Sequence, residues 1–422
     1  MGCFFYRLIK ITHLSSQVVY FIEKKSNFKT ENHSHPIVAH MKSFSKILSA
    51  TAALLLISTS SAFSQTRMRD YVGAGPGVMK TGQYNAITDV KGVKVGHVTL
   101  IEGNNIRTGV TAIVPHSGNI FRNKVPAAVY VGNGFGKLAG TTQVMELGNI
   151  ETPVILTNTL NVAEGIIGAV EWTLAQKGNE NVHSVNAVVG ETNDGGLNDI
   201  RARRVTKEDV IQAIENAKGG PVEEGCVGAG TGTVAFGLKG GIGTSSRVLP
   251  ESMGGYTVGV IVQSNYGGVL EVDGVPVGQL IEHYSYRKNI LQDVDGSCMI
   301  VVATDAPVDA RNLERMAKRA IMGLAKTGGI ASNGSGDYVI AMSVCPENLI
   351  DESKESYNPT LLLNDDMSGL FMATIEATEE ALWNSLFAAT DMDGYEESVK
   401  AMDKKKVAEY IKKSRKAVGL GK

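Results

Sequence analysis

Residues 296–307 read GSCMIVVATDAP, and in this stretch a glycine and a serine lead straight into an apolar run. The run MIVVA at 299–303 is rich in β-branched residues, as in strands that are covered on both faces. A hydroxyl at the start of such a strand lies at the edge of the sheet, where the core behind it fixes its position. The stretch therefore predicts a sheet whose edge presents Ser297 to a cleft.

Three further apolar runs predict the neighbouring strands. They are VNAVVG at 185–190, YTVGVIVQ at 256–263 and YVIAMS at 338–343. Apolar residues at helical spacing predict helices at 161–176, 206–218, 309–327, 369–385 and 396–415. Thr206 and Asp209 form a capping pair at the start of the second helix. Strands that alternate with helices are typical of an α/β fold, in which sheets pack between layers of helices.

Composition limits the classes of function that need to be considered. The 422 residues are 43% hydrophobic, carry a formal net charge of −2 and include 48 glycines. That hydrophobic content supports a full core, whereas a chain without a concentrated basic face gives no electrostatic reason to bind nucleic acid. The sequence contains no CxxC pair and no cluster of histidines, so we expect no metal and no cofactor.

The first part of the chain resembles a targeting segment rather than a fold. Residues 41–65 read MKSFSKILSATAALLLISTSSAFSQ, in which lysines precede an apolar run and small residues precede Gln65, as in secretory signal peptides. The apolar run is too short to span a bilayer. We expect residues 1–64 to be a leader with the true start at Met41 and cleavage after Ser64. The mature protein is then periplasmic or secreted, with no membrane attachment.

Gly296 and Ser297 together permit self-cleavage. Gly296 has no side chain, so its carbonyl can be approached closely and its backbone can adopt strained angles. Such geometry allows an acyl shift from nitrogen to oxygen. If water then hydrolyses the ester, Ser297 gains an α-amine with an ordinary pKa of about 7.7–8.0, which suits a general base. The alternative interpretation is a simple turn, because Gly-Ser before a strand is common.

Seven stretches, taken in order, resemble the DmpA-type aminopeptidases, a family that includes the β-peptidyl aminopeptidases. They are GNGFGKLAGTTQVMELG (132–148), ETPVILTNTLNV (151–162), VVGETNDGGLNDI (188–200), VGAGTGTVAFGLKGGIGTSSR (227–247), VGVIVQSNYGG (258–268), GSCMIVVATDAP (296–307) and NGSGDYVIAMS (333–343). The resemblance covers essentially the whole mature chain. It implies a self-processing serine peptidase with a four-layered αββα sandwich similar to N-terminal nucleophile hydrolases.

The same resemblance implies two subunits of one peptidase domain and the class of substrate. The large subunit is 65–296 and the small subunit is 297–422, and the processed heterodimers form a homo-oligomer, a tetramer in the family. Such an enzyme releases N-terminal amino acids from small peptides, amides or esters through an acyl intermediate on Ser297.

Carried onto this sequence, the resemblance assigns four catalytic residues. Ser297 opens the small subunit as the nucleophile. Ser335 and Asp337, in NGSGD, match a serine that assists proton movement and an acidic residue that orients it. Asn265, in VQSN, matches the asparagine that donates to the oxyanion. For Asn265 and Asp337 the alternative is turn chemistry at the ends of strands.

Recognition of a free amine requires a carboxylate, because the substrate ammonium must be paired inside a partly desolvated cleft. The segment ETNDGGLND at 191–199 offers Glu191, Asp194 and Asp199 as candidates, with Asn198 as a further substrate-binding residue. The same residue types are frequent in turns, which is the alternative interpretation for each of them.

Two regions depart from the family pattern. Members that act on β-peptides tend to show an acidic residue after GNG and a tyrosine within DGYLND, whereas this chain reads GNGFGK and DGGLND, with Lys137 and Gly196. We expect another residue, with Tyr266 as the candidate, to take the place of the missing tyrosine. The departures leave open whether D-, L- or β-amino acids are preferred.

Three alternatives to this hypothesis are nucleotide binding, acetyl transfer and ligand binding without catalysis. The glycine-rich segment GAGTGTVAFGLKGGIG at 228–243 has neither phosphate-binding spacing, so we predict that it shapes the substrate cleft. An acetyltransferase of the ornithine acetyltransferase type shares the fold but uses a threonine at the processing site, where this chain has Ser297. A non-catalytic periplasmic binding protein on the same fold is the third.

Cys298, next to Ser297, points to the opposite face of the strand, and we expect it to pack in the core.

Overall fold

The computed structural model describes residues 67–285 and 296–420. The predicted leader, the start at Met41 and the cleavage after Ser64 lie outside these residues. The strands are β1 (Lys94–Glu102), β2 (Ile106–Val114), β3 (Asn123–Gly134), β4 (Leu138–Ala139), β5 (Asn149–Ile150), β6 (Val154–Asn158), β7 (Val188–Thr192), β8 (Val234–Ala235), β9 (Leu238–Lys239), β10 (Gly241–Val248), β11 (Thr257–Asn265), β12 (Gly296–Thr304), β13 (Ser335–Ser343), β14 (Ile350–Asp351), β15 (Met392–Asp393) and β16 (Ser398–Val399).

The helices surround these strands on two sides. They are α1 (Met68–Val72), α2 (Thr141–Leu147), α3 (Val162–Leu174), α4 (Lys207–Glu215), α5 (Val277–Leu280), α6 (Ala310–Lys326), α7 (Ser368–Ala388) and α8 (Lys404–Ala417). Within the described ranges no helix is long and apolar enough to cross a membrane.

Two sheets form the centre of the protein. One has five strands in the order β1-β2-β6-β7-β4, and the other has the order β10-β11-β12-β13-β3-β14 with β5 also paired to β3. Helices α3 and α4 pack on the five-stranded sheet, and α6 and α7 pack on the larger sheet. The sheets face each other, with β12 against β7. The predicted four-layered αββα sandwich is therefore observed.

Alternation along β12 gives each sheet face its own core. Met299 and Val301 are buried between the two sheets, whereas Cys298 and Ile300 are buried toward α6 and α7. The expectation that Cys298 packs in the core is confirmed. A buried amide also connects the sheets, because the Nε2 atom of Gln263 on β11 lies within hydrogen-bond distance of Thr157, Thr192 and Ala229.

Four of the five predicted helices are confirmed, as α3, α4, α6 and α7. The capping pair forms as predicted at the start of α4, since the Thr206 hydroxyl accepts from the Asp209 amide and the Asp209 carboxylate accepts from the Thr206 amide. The four predicted strands are also present, although β7 begins later than predicted, at Val188.

The fifth helix begins later than predicted, at Lys404 rather than near Glu396. Residues 392–399 instead form a hairpin in which β15 pairs with β16. Asp403 then caps α8 by accepting a hydrogen bond of 3.1 Å from the amide of Lys406. The charged residues of this region have a helical spacing. Residues 392–399 nevertheless do not form a helix, because their backbone groups pair across a turn.

Strand direction brings the predicted catalytic residues to one edge of the larger sheet. Strand β11 ends at Asn265, which pairs with Ser297 at the start of the antiparallel β12. Strand β13 runs parallel to β12, so its first residue, Ser335, pairs with Gly296. Three segments that are distant in sequence therefore meet at this edge.

Candidate active site

A cavity of about 670 Å³ opens at this edge of the sheet. Its walls come from the loops around 134–137, 191–196 and 232–237, from 265–267, and from Ser297. A volume of this order suits a small ligand rather than a large peptide.

Ser297 lies almost fully buried at the base of this cavity, with 5% of its surface exposed. Its hydroxyl donates to the carbonyl oxygen of Gly296 at 2.6 Å and accepts from the amide of Gly336 at 3.3 Å. Ser297 belongs to the same face of β12 as Met299, so its side chain points between the two sheets. The hydroxyl is thus held at the carbonyl of the peptide bond that precedes it.

Gly296 is the first residue of β12, and the strained angles that a glycine permits there stay a prediction. The expected close approach is present, because a Cβ at this position would lie 2.9 Å from the Cα atom of Tyr266. A side chain at residue 296 would push this neighbouring backbone away from β12.

Asn265 lies opposite Ser297 in the strand register and lines the cavity. Its Oδ1 atom accepts a hydrogen bond of 2.9 Å from the amide of Val234. This bond fixes the orientation of the side-chain amide, so the Nδ2 group remains as the donor. A neutral amide held in this way suits an oxyanion.

Ser335 and Asp337 form a buried pair on β13, in which the serine hydroxyl donates to Oδ1 of Asp337 at 2.9 Å. Burial raises the pKa of Asp337 to about 6, although hydrogen bonds from Ser335 and from the backbone of Cys298 oppose the increase. Alternation places the two side chains on the sheet face that Cys298 shares. The pair therefore lies beside the backbone at the start of β12, on the opposite face from the Ser297 hydroxyl.

Glu191 is the buried carboxylate of the cavity with the most complete set of partners. One oxygen accepts from the amide of Lys137 at 2.9 Å, and the other accepts from the hydroxyl of Thr159. The Lys137 ammonium lies 3.9 Å from the same carboxylate, on a side chain that is more than half exposed. Glu191 is thus positioned by its neighbours while it lines the cavity.

Asp194 also lines the cavity, but burial raises its pKa to about 7 in spite of hydrogen bonds with Thr108 and Asn198. Asn198 donates to Asp194 at 3.0 Å and accepts from the amide of Arg107 at 3.1 Å. Neither Asn198 nor Asp199 belongs to the cavity wall. The predicted contact of these two residues with substrate is therefore corrected: Asn198 positions Asp194, and Asp199 lies outside the cavity.

A buried lysine, Lys239, holds the glycine-rich segment. The buried Lys239 ammonium donates to the carbonyl oxygens of Gly230, Thr233 and Gly240, at 2.8–3.0 Å. Burial lowers the pKa of Lys239 to about 8. The segment contributes Gly232 to the cavity wall, so the prediction that it shapes the cleft is confirmed. Lys239 therefore acts as the hydrogen-bond donor to the carbonyl groups of its own loop.

The space beside Gly196 is filled by Glu397, not by Tyr266. A Cβ on Gly196 would lie 2.1 Å from a carboxylate oxygen of Glu397, which lines the same cavity. The buried hydroxyl of Tyr266 instead forms a hydrogen bond of 2.8 Å with Thr327. Sequence reasoning missed Glu397 because its segment was assigned to a helix. The turn-forming Asp-Gly pair at 393–394 is the signal that could have argued against a helix in this segment.

A comparison with known protein families matches this architecture to one of them. The model of peptidase family S58 matches residues 85–400, which includes both sheets and the whole cavity edge. The chain belongs to peptidase family S58. The predicted class, a serine aminopeptidase of the DmpA type, is confirmed by this match, and the acetyltransferase and binding-protein alternatives are not supported.

Three relatives of this S58 peptidase are named as aminopeptidases, and the two of them with solved structures have the same fold. The β-peptidyl aminopeptidase BapA of Sphingosinicella microcystinivorans is 38% identical over 81% of this chain and 90% of its own length. A Burkholderia sp. β-aminopeptidase structure is 37% identical, with a TM-score of 0.76, over 82% of this chain and 98% of that one. The L-aminopeptidase D-Ala-esterase/amidase of Ochrobactrum anthropi is 34% identical, with a TM-score of 0.74, over 84% and 99%. That structure is described as a variant of the Ntn hydrolase fold, which agrees with the predicted fold class.

Proposed function

We propose that the chain cleaves itself between Gly296 and Ser297 and then releases N-terminal amino acids from small peptides, amides or esters. The observation that carries the proposal is the position of Ser297. Its hydroxyl lies 2.6 Å from the carbonyl oxygen of Gly296, at a cavity edge where Asn265 faces it across the strand pair.

Self-cleavage begins when the Ser297 hydroxyl oxygen attacks the carbonyl carbon of Gly296. The carbon–nitrogen bond breaks, an ester bond to the serine oxygen forms, and the hydroxyl proton passes to the leaving nitrogen. Water then hydrolyses the ester, which leaves a carboxylate on Gly296 and both a free hydroxyl and a free α-amine on Ser297. The large subunit is then 65–296 and the small subunit is 297–422.

The new α-amine is the general base of the mature enzyme. Its ordinary pKa of about 7.7–8.0 allows it to take the hydroxyl proton near neutral pH. Ser335 and Asp337 support this role, because they lie beside the backbone at the start of β12, where the amine forms. A carboxylate near this position stabilises the protonated amine, and the amine then gives its proton to the leaving group.

Asn265 stabilises the oxyanion that develops during acyl transfer. Its Nδ2 group is the donor left over after Val234 has engaged the side-chain oxygen. A donor that is already oriented in a buried site costs no reorganisation when charge develops, which is why such donors contribute strongly to rate.

Glu191 pairs with the free amine of the substrate. Of the three predicted carboxylates, Asp199 lies outside the cavity wall, and Asp194 has a pKa of about 7 that leaves much of it uncharged at neutral pH. Glu191 lines the cavity with both oxygens held by neighbours. A Cβ on Gly136 would lie 3.0 Å from its Oε1 atom and 3.4 Å from the Cα atom of Gly336, whose amide donates to the Ser297 hydroxyl.

Three further expectations, on location, substrates and assembly, extend this proposal. The secretory pattern of residues 41–65 supports export to the periplasm or beyond. The activities after which the relatives are named, β-peptidyl aminopeptidase and L-aminopeptidase D-Ala-esterase/amidase, support small peptides, amides or esters as substrates. The exposed apolar side chains of Val78, Met253 and Met372, around one groove, support association of the processed heterodimers into a homo-oligomer.

Hydrolysis of alanine p-nitroanilide by the purified protein tests the proposal. We expect release of p-nitroaniline by the wild type and none by Ser297→Ala. Ser343→Ala, which removes another buried strand hydroxyl of the small subunit far from the cavity wall, is the matched control and should retain activity. Equal hydrolysis by the wild type and Ser297→Ala would remove Ser297 from the reaction.

A further inference from the structure

The hairpin at 392–399 is not part of the catalytic machinery described above, yet it contributes a carboxylate to the cavity. Asp393 pairs with Ser398, and the amide of Gly394 donates to the carbonyl oxygen of Glu397 at 3.0 Å. This turn directs Glu397 onto the cavity wall, whereas its equally exposed neighbour Glu396 is not part of the wall.

Backbone hydrogen bonds attach this hairpin to the wall of the cavity. The amide of Tyr395 donates to Leu197 at 2.8 Å, and the amide of Glu396 donates to Gly196 at 3.1 Å. The contact is close, because a Cβ on Gly394 would lie 2.3 Å from the carbonyl oxygen of Leu197. The position of Glu397 is therefore fixed by main-chain contacts and not by its own side chain.

The carboxylate of Glu397 lies directly against Gly196. A Cβ on Gly196 would come within 2.1 Å of its Oε1 atom, so a larger residue at 196 and this carboxylate exclude each other. Within residues 67–285 and 296–420, Glu397 forms no ion pair, and its side chain is exposed. An unpaired carboxylate on a cavity wall is free to pair with a ligand.

Within the part of the wall that the structure describes, no other charge neutralises Glu397. Lys137 is the one cationic residue there, and its ammonium lies 3.9 Å from Glu191, whereas Asp194 is acidic. With Glu191 already assigned to the substrate α-amine, Glu397 is a further carboxylate of the described wall that a neutral amino acid does not need.

We propose that Glu397 is a specificity-determining residue that recognises a cationic side chain of the substrate. This inference rests on the proposed aminopeptidase function. The group recognised is an ammonium or guanidinium on a lysyl, ornithyl or arginyl residue, on either side of the bond that is cut. A carboxylate in a partly solvated cleft attracts such a group by charge and accepts its hydrogen bonds.

The test compares a basic residue with an uncharged residue of similar length, on each side of the scissile bond. On the acyl side the pair is lysine and norleucine p-nitroanilide, and on the leaving side it is Ala-Lys and Ala-norleucine. The measured quantity is the ratio of kcat/KM for the basic and neutral member of each pair, in the wild type, Glu397→Gln and Glu397→Lys.

We expect Glu397→Gln to lower the ratio about fivefold in one of the two pairs, and Glu397→Lys to lower it further. The pair that responds identifies the side of the substrate that Glu397 contacts. Glu396→Gln is the matched control, because it changes the neighbouring glutamate of the same hairpin without altering the cavity wall, and its ratios should equal those of the wild type.

Ratios that are the same in the wild type and both Glu397 variants, in both pairs, would overturn the inference. Absence of hydrolysis of every compound would instead count against the proposed function. In that case the same four compounds are titrated as ligands by calorimetry, and the ratio of their Kd values tests Glu397 without turnover.

Discussion

Asn265 and Ser297 face each other across the antiparallel pair β11–β12, one at the end of its strand and the other at the beginning. Both residues are buried and both line the cavity. Their relative position depends only on the strand register, so the nucleophile and the oxyanion donor are fixed by the same hydrogen-bonded ladder.

Replacement of Asn265 by alanine removes the donor but keeps the strand. We expect kcat for alanine p-nitroanilide to fall roughly 10²–10³-fold, with a smaller change in KM, because the donor acts on the developing charge. Gln263→Leu would disturb the sheet contacts instead and lower the thermal midpoint. An Asn265→Ala enzyme with unchanged kcat would contradict the proposed role.

Replacement of Glu191 by glutamine tests recognition of the free amine. The neutral side chain keeps the size of glutamate but loses the charge, so kcat/KM for alanine p-nitroanilide should fall about 100-fold. The matched variant Asp194→Asn changes a carboxyl that is partly uncharged at neutral pH, and a smaller loss is expected. The assignment would be reversed if Asp194→Asn proved the more damaging change.

Asp337 makes a prediction about stability and pH. The pKa of Asp337 is about 6 in the folded protein and exceeds the ordinary value of 3.8. The stability that its protonated side chain contributes to the folded state is therefore fully present below about pH 4 and is lost as the pH rises through about 6. The ionised form should cost the folded state about 2–3 kcal/mol at pH 8, since each pKa unit corresponds to ~1.36 kcal/mol.

Asp337→Asn is neutral at every pH and should therefore gain stability over its parent at pH 8 but not at pH 4. Thermal midpoints should be measured in the Ser297→Ala background, so that chain cleavage does not affect the comparison. The exposed Asp366→Asn serves as the control. An equal difference in midpoint at both pH values would show that ionisation of Asp337 has no such effect.

Lys239 should be essential for the shape of the cavity wall. Lys239→Met keeps the aliphatic length but leaves three buried carbonyl groups without this donor, at a cost of at least about 3 kcal/mol. We expect a lower thermal midpoint and a higher KM, whereas Lys405→Met on the exposed side of α8 should change neither. Retention of wild-type stability by Lys239→Met would argue against this role.

The central part of the fold could be predicted from sequence because its signals are local. Strands β11, β12 and β13 are continuous apolar runs, and the Thr206–Asp209 capping pair depends on residues three apart. A parallel neighbour for β12 was not readable from these runs, since the pairing of Ser335 with Gly296 joins residues far apart in the chain.

The cavity wall was less predictable because it depends on contacts between distant loops. Glu191, Asp194, Asn198 and Asp199 have similar polar character in one segment, yet only the first two line the cavity. Likewise, nothing near Gly196 in sequence indicates that Glu397 fills the adjacent space. Local composition identifies polar loops, whereas the packing of one loop against another decides which side chains face the ligand.

Self-cleavage at Gly296–Ser297 is tested most directly by denaturing electrophoresis combined with intact-mass analysis of the purified protein. We predict that the wild type yields two chains, the smaller beginning at Ser297, and that Ser297→Ala yields one continuous chain. A single unbroken chain in the active wild type, or two chains in Ser297→Ala, would contradict the proposal.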